Sequence, residues 1–223
     1  MIRHHLNDEL LMAYSAGQLP EAFNLIVASH ISLCDDCRAR LATFDALGGA
    51  LLEELCNDGA SPSMAPDALS ATMNRIAAME AAAPAPSATG APAGPACKVL
   101  PAPLRDYVGG GVDSIAWRSV GGGVRQSVLP TSREASARLL FIPGGVAVPA
   151  HSHRGIELTL VLQGAFRDEQ DRFARGDIEI ADAELHHTPV AEAGDDCICL
   201  AVTDAPLRFN GLLPRIAQPF LRI

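Results

Sequence analysis

Basic charge is in short supply in this 223-residue sequence, where 17 Lys and Arg stand against 26 Asp and Glu and leave a formal net charge of -9. Phosphate binding needs a basic face, so nucleic acid is excluded as a direct partner. Long apolar runs are lacking too. None approaches the ~20 residues of a membrane span. Met1-Ile2-Arg3-His4-His5 leads into an amphipathic pattern rather than into the apolar stretch of a secretory leader. A cytoplasmic protein that does not enter the membrane is expected. Aromatic residues make up 4% of the chain against 48% hydrophobic residues, so a sizeable core has to be largely aliphatic. Six cysteines in a reducing compartment point to metal ligands or free thiols, not to a disulfide framework.

Acid is concentrated at the front, where residues 1–80 hold four Arg and eleven Asp or Glu. Such charge is ordinarily the solvent face of helices, although an acidic module also suits a basic protein partner. Apolar spacing in this part is helical. Residues 6–17 carry Leu10, Leu11 and Tyr14 as a stripe, with Asn7 or Asp8 to cap and Gly17 to stop. Pro20 starts a second helix whose Phe23, Ile26, Val27, His30 and Ile31 share a face. Asp35 and Asp36 favour the start of a third, through Leu41, Leu47 and Leu51 to about Leu55. Pro66 and Asp67 open a fourth, through Leu69, Met73, Ile76 and Met79. Residues 81–97, mostly Ala, Pro, Ser, Gly and Thr, read as a linker. Beyond Val99 the pattern becomes short strands between glycine turns, at 112–120, 124–129, 137–142, 165–171, 197–202 and 207–213. Many short strands of this kind imply a sandwich or barrel.

Two constellations carry chemistry. Around residues 144–164, His151, His153 and Glu157 are separated by even numbers, so an unbroken strand would aim all three one way. Two imidazoles and a carboxylate are three ligands for a divalent metal, and His187, after the strand pattern Asp177-Ile178-Glu179-Ile180, is the best fourth. Earlier, His30 lies one helical turn before Cys34, and Cys34 and Cys37 form a C-x-x-C. His4 and His5 are the other histidines of that module. Two sulfurs and two nitrogens suit tetrahedral Zn²⁺. Cys197 and Cys199 alternate on a strand and read as core thiols or as a sensor dithiol.

Gly145, His151, His153, Glu157 and Gly164 resemble the first motif of the cupin family at every fixed position. In the second motif Gly176 and His187 keep register, which favours His187 over His186. Asp182 and Glu184 replace a Pro and a Gly there, and Ala191 replaces an Asn, so the turn is altered while the ligand is kept. His-x3-Cys-x2-Cys behind "RHH" resembles the zinc-binding anti-sigma modules. Together with the linker and with "GGVRQSVLP", "LTLVLQGAFRDE", "RGDIEIAD" and "DAPLRFN", nearly the whole chain resembles the ChrR family of anti-sigma factors.

That resemblance implies a multidomain α plus β fold: a four-helix zinc-bound anti-sigma domain over 1–80, the linker over 81–97, and a cupin barrel or jelly roll over 98–223 acting as a metal-binding sensor. It implies zinc held by His5, His30, Cys34 and Cys37, and a second divalent metal, again zinc, held by His151, His153, Glu157 and His187. The implied partner is a group four (extracytoplasmic-function) sigma factor in a 1:1 complex, released by singlet oxygen or a related oxidant. The expectation is of a regulator and not an enzyme. The alternative is a metal-dependent cupin dioxygenase or isomerase with an appended zinc module, using Arg125, Arg154 or Glu179 as polar groups.

Overall fold

The computed structural model describes residues 1–57, 63–82, 99–206 and 208–209. Four helices come first, at the places their apolar spacing requires: α1 (Asp8–Ser15), α2 (Glu21–Ile31), α3 (Asp35–Asn57) and α4 (Ala68–Ala82). Asn7 caps α1 by accepting the Leu10 N–H at 3.0 Å. Pro20 precedes the first residue of α2 and so is its cap rather than its first turn. The expected linker falls outside the described residues except for its first two, which end α4. A fifth helix, α5 (Ala102–Val108), was not expected. It starts at Pro101 and stops at Gly109, whose φ of 69° is the left-handed conformation that ends helices.

Twelve strands follow among the described residues: β1 (Arg118–Gly121), β2 (Val124–Val128), β3 (Ser136–Ile142), β4 (His151–Ser152), β5 (Glu157–Gln163), β6 (Ala165–Arg167), β7 (Arg172–Ala174), β8 (Ile178–Ala181), β9 (His186–His187), β10 (Val190–Ala191), β11 (Cys197–Thr203) and β12 (Arg208–Phe209). They form one six-stranded antiparallel sheet, β1-β2-β3-β11-β5-β8, and two three-stranded sheets, β10-β6-β7 and β12-β4-β9. The strand expected at 112–120 is shorter, because Val112–Ser114 forms a 3-10 turn. Of the strand expected at 207–213, only β12 lies within the described residues.

Alternation gives the large sheet two different faces. On one, Val161, Cys197, Cys199 and Ile142 meet Phe166, Phe173 and Ala191 of the small sheet, and polar residues continue that face toward β4 and β9. On the other, Ala137, Leu139, Leu158, Leu160, Ile198, Leu200 and Val202 form one continuous core with Leu11, Phe23 and Ile26 of the helices and Leu104 of α5. The helical part and the barrel therefore bury their apolar surfaces against each other.

The N-terminal segment completes the junction. Ile178 at the start of edge strand β8 donates its N–H to the carbonyl of His4 at 3.3 Å. Buried Asp177 accepts the N–H groups of Arg3 (2.6 Å) and His4 (3.1 Å) on one oxygen and that of Ala174 (2.9 Å) on the other. Burial alone would raise this carboxyl. The three backbone donors outweigh it and hold Asp177 below its ordinary value.

A shared core should unfold as one unit. Helical circular dichroism and the fluorescence of Trp117, the single tryptophan and a barrel residue, are expected to give one urea midpoint. Ile26→Ala, at a fully buried position facing that core, is expected to lower both together by about 2–5 kcal/mol. Separate midpoints would show two independently stable parts.

Candidate metal centres

The turn from α2 to α3 builds the first centre. His30 lies in the last turn of α2, Cys34 in the connection, and Cys37 in the first turn of α3. His5 is delivered by the N-terminal segment that Asp177 holds. One ligand atom from each lies within 4.8 Å of all the others. Cys34 Sγ is 3.2 Å from His5 Nδ1, Cys37 Sγ is 3.6 Å from the same nitrogen, and His30 Nε2 is 3.3 Å from Cys37 Sγ. Bonds of ~2.3 Å to sulfur and ~2.0 Å to nitrogen at the tetrahedral angle give a ligand–ligand edge of about 3.5 Å. The four donors thus fit a tetrahedral divalent ion. Of the two histidines open as the fourth donor, His5 is the one brought here; His4 instead stacks on Phe173 at 4.4 Å and lies 3.6 Å from Asp171.

In the bare protein burial favours the neutral form of these side chains, which is the form of His30 that binds a metal but not the form of Cys37. Burial, helped by His5, lowers His30 to about 4. Burial also pushes the Cys37 thiol up to about 11, with Cys34 adding to the shift. A cation supplies the field that a buried thiolate otherwise lacks.

The second centre lies at the polar end of the barrel interior. His151 on β4 pairs in register with His187 on β9, and His153 follows just after β4. The Nε2 atoms of His151 and His153 lie 3.1 and 3.2 Å from His187 Nε2, close to the ~3.3 Å edge of a tetrahedron of nitrogens. Their other nitrogens are turned outward. His151 Nδ1 donates to the Pro149 carbonyl at 2.9 Å, while His187 Nδ1 lies 3.1 Å from both Asp168 Oδ2 and Glu179 Oε1. Such outer partners fix the tautomer and aim Nε2 at the centre. His186, next to His187, faces solvent.

The unbroken strand expected from His151 to Glu157 is not found. The chain turns between Ser152 and Glu157, so the carboxylate belongs to β5 instead. Glu157 Oε2 stands 3.7 Å from His153 Nδ1, behind that ring, and is not among the three converging nitrogens. Burial holds its carboxyl up at about 7, against the opposing charge of Arg138. Two participants were not singled out in the sequence. Asp168 falls in the β6–β7 turn and becomes a partner of His187 only through the fold. Arg138 had a local signal, a lone charge inside the apolar strand Ser-Ala-Arg-Leu-Leu-Phe-Ile.

Comparison with known proteins agrees with this architecture. Residues 108–206 match the family described as the ChrR cupin-like domain. The chain is 60% identical over 222 residues to the anti-sigma-E factor ChrR of Cereibacter sphaeroides, covering all of this chain and 99% of that one. The crystal structure of Rhodobacter sphaeroides SigE in complex with the anti-sigma ChrR superposes with a TM-score of 0.76 and 55% identity, over 92% of this chain and 100% of that one.

Three of these histidines are held near 4 in the metal-free protein: His30, His151 and His153, in each case first by burial. As pH falls from 6.5 toward 4, the unfolded chain takes up protons that the folded one refuses, so stability is lost in that window. Glu157 and Glu179, both raised by burial, work the other way, two groups against three. His187 has the opposite sign: burial lowers it, Glu179 and Asp168 outweigh burial, and it stands near 9. Its contribution is full below 6.5 and disappears as pH rises through 9. Metal-stripped protein is expected to melt progressively lower from pH 6.5 to 4, with imidazole NMR signals of His30, His151 and His153 still neutral at about pH 6. Titration of these three near 6.5 would contradict it.

Proposed function

The chain belongs to the ChrR family of anti-sigma factors, and on that premise we propose that it sequesters a group four sigma factor in a cytoplasmic 1:1 complex and surrenders it on an oxidative signal. It is a regulatory protein and not a cupin dioxygenase or isomerase. The observation that carries the reading is an apolar surface left uncovered. Leu47, Leu51 and Leu55 repeat along the second half of α3, and Leu69, Met73 and Ile76 along α4, all exposed, up to 75% at Leu69. Large apolar side chains at helical spacing ordinarily face a core. Here that core belongs to a partner. A family relative is solved bound to SigE, which makes a sigma factor the fitting occupant.

In this proposal residues 1–80 are the sigma-binding domain, 81–97 the linker and 98–223 the sensor. His5, His30, Cys34 and Cys37 would hold zinc, which would supply folding free energy to a module with a small core of its own. By fixing the root of α3, these four ligands set the direction of the exposed stripe. His151, His153 and His187 would hold the second ion, also zinc, and Glu157, expected in the sequence as a further ligand, would have to come round from behind the His153 ring to join them. The signal is read as singlet oxygen or a related oxidant, to which thiolate and imidazole donors are susceptible.

Transmission runs through direct contact. Glu179, which touches His187, is one residue along β8 from Ile178, whose N–H bonds the carbonyl of His4. His5 comes next. A displacement of His187 therefore has a short covalent and hydrogen-bonded route to His5, with Asp177 as its anchor. No helix among the described residues is long and apolar enough to cross a membrane.

Co-expression with group four sigma factors, size exclusion and zinc analysis test this. A 1:1 complex is expected, lost with Cys34→Ala or Cys37→Ala. Leu51→Glu with Ile76→Glu is expected to weaken sigma binding at least about thirtyfold, a hot-spot loss of ~2 kcal/mol. Photosensitised singlet oxygen is expected to release sigma from the unaltered protein. Asp177→Ala, which substitutes no ligand but frees the segment that delivers His5, is expected to weaken sigma binding before any oxidant is added. Undiminished sigma binding after oxidation of the unaltered protein would sink the sensing claim while leaving the clamp intact.

A further inference from the structure

α3 is supported over only its first half. Cys37 is fully buried, Leu41 is buried in the shared core, and Phe44 packs against that core. Ser15 at the end of α1 then donates to Asp45 Oδ1 at 2.5 Å. Beyond that tie the support stops. Residues 45–56 are all exposed, and they include Leu47, Leu51, Leu52 and Leu55. α4 is in the same condition, exposed over residues 69–79.

Gly48 and Gly49 stand together at the root of the exposed half. Inside a helix each is less favourable than alanine, by about fivefold in population. The usual local reasons for a glycine are missing. Neither has the positive φ of a turn or a cap. Neither ends the helix, which runs on to Asn57. An alanine methyl at either position would meet nothing within 4 Å among the described residues, so close packing within the chain does not require the space. What the pair does is make α3 easiest to break at that point. Residues 50–57 lie past it, and a helix of about eight residues is too short to hold itself together in water.

We infer that Gly48–Gly49 is a hinge, the point at which α3 bends so that its outer leucines and the α4 stripe close together on a sigma factor. The inference rests on the clamp reading above and adds the motion that the clamp needs. A straight α3 presents Leu47, Leu51 and Leu55 along one line, about 12 Å from first to last. Two apolar faces carried on separate helices enclose a convex partner only if at least one of them turns. Glycine takes up the φ and ψ of a bend without the clash a side chain would bring. Anchoring stays with Cys37 and Leu41, so the bend moves the stripe and leaves the metal ligands where they are.

Gly48→Ala, Gly49→Ala and the double variant, made in the full-length chain, test the hinge against the sigma factor recovered by co-expression. Alanine at these open positions is expected to slow amide exchange over residues 46–55 of the free protein. At the same time it is expected to weaken sigma binding, about fivefold for one substitution and about twenty-fivefold for both. A gain in the free helix joined to a loss in the complex is the mark of a bend made on binding. Gly48→Ser with Gly49→Ser separates a hinge from a tight steric contact with sigma. Serine is larger than alanine but a poorer helix former, so a hinge predicts a smaller loss than with alanine and a contact predicts a greater one. Undiminished sigma binding by the double alanine variant would overturn the hinge, as would a greater loss with serine. Failure of the unaltered chain to bind any group four sigma factor is a different result, which overturns the clamp reading and the hinge with it.

Discussion

The structure depends on one buried apolar contact: α2 laid across the outer face of the six-stranded sheet. Phe23 and Ile26 enter the same core as Leu158, Leu160 and Leu200. Neither side could leave that surface in water without losing much of its stability, at roughly 25 cal/mol for each Å² of apolar area. Once α2 is fixed there, its C-terminal end places His30, and the next turn places Cys34 and Cys37. The edge of the same sheet then orders residues 3–5. A ligand set that spans thirty-three positions of sequence is thus assembled on a platform belonging to the barrel.

Seven of the residues that converge at the two candidate centres were legible because metal chemistry is written in short spacings. His-x3-Cys-x2-Cys needs only one helix end and one turn to converge. What was not legible depended on register between distant strands. Asp168 and Glu179 become partners of His187 only once β6, β7, β8 and β9 are in place. The docking of helices on sheet was missed for a different reason: β11 is apolar on both faces, and β5 buries its polar face as well as its leucines, so alternation there marks neither face as the one against solvent. α5 was overlooked between prolines and glycines that signal turns, although the same residues, Pro101 and Gly109, also start and stop a short helix. The strand break before Glu157 follows from Arg154-Gly155, where evenly spaced ligands gave no hint of a turn.

Two kinds of surface end up in places that simple patterning forbids. Charged groups, Arg138, Glu157 and Glu179, are inside the barrel, while leucines and methionines of α3 and α4 lie outside. Each inversion has its own physical logic. Interior charges persist because they offset one another, Arg138 bearing on Glu157 and Glu179 bonding His187, behind aliphatic strands. Exposed apolar helices persist because the opposite end of α3 is anchored at Cys37 and does not rely on the stripe for its stability. Sites that break local rules are where function is concentrated.

How the two parts could exchange a signal is a question of magnitude. Weakening a partner's grip a hundredfold needs a coupling of about 2.7 kcal/mol between the two states of the regulator. Asp177 alone organises three backbone N–H groups from two separate segments, and bonds to a charged acceptor contribute roughly 1.5–3 kcal/mol each. Release of the Arg3 and His4 bonds alone therefore lies in the required range. It would act on the residue preceding a ligand, where a shift on the order of an ångström changes whether a donor reaches its ion. The bonds from Asp177 to residues 3 and 4, where the N-terminal segment meets the edge of the sheet, have both the energy and the geometry to carry information.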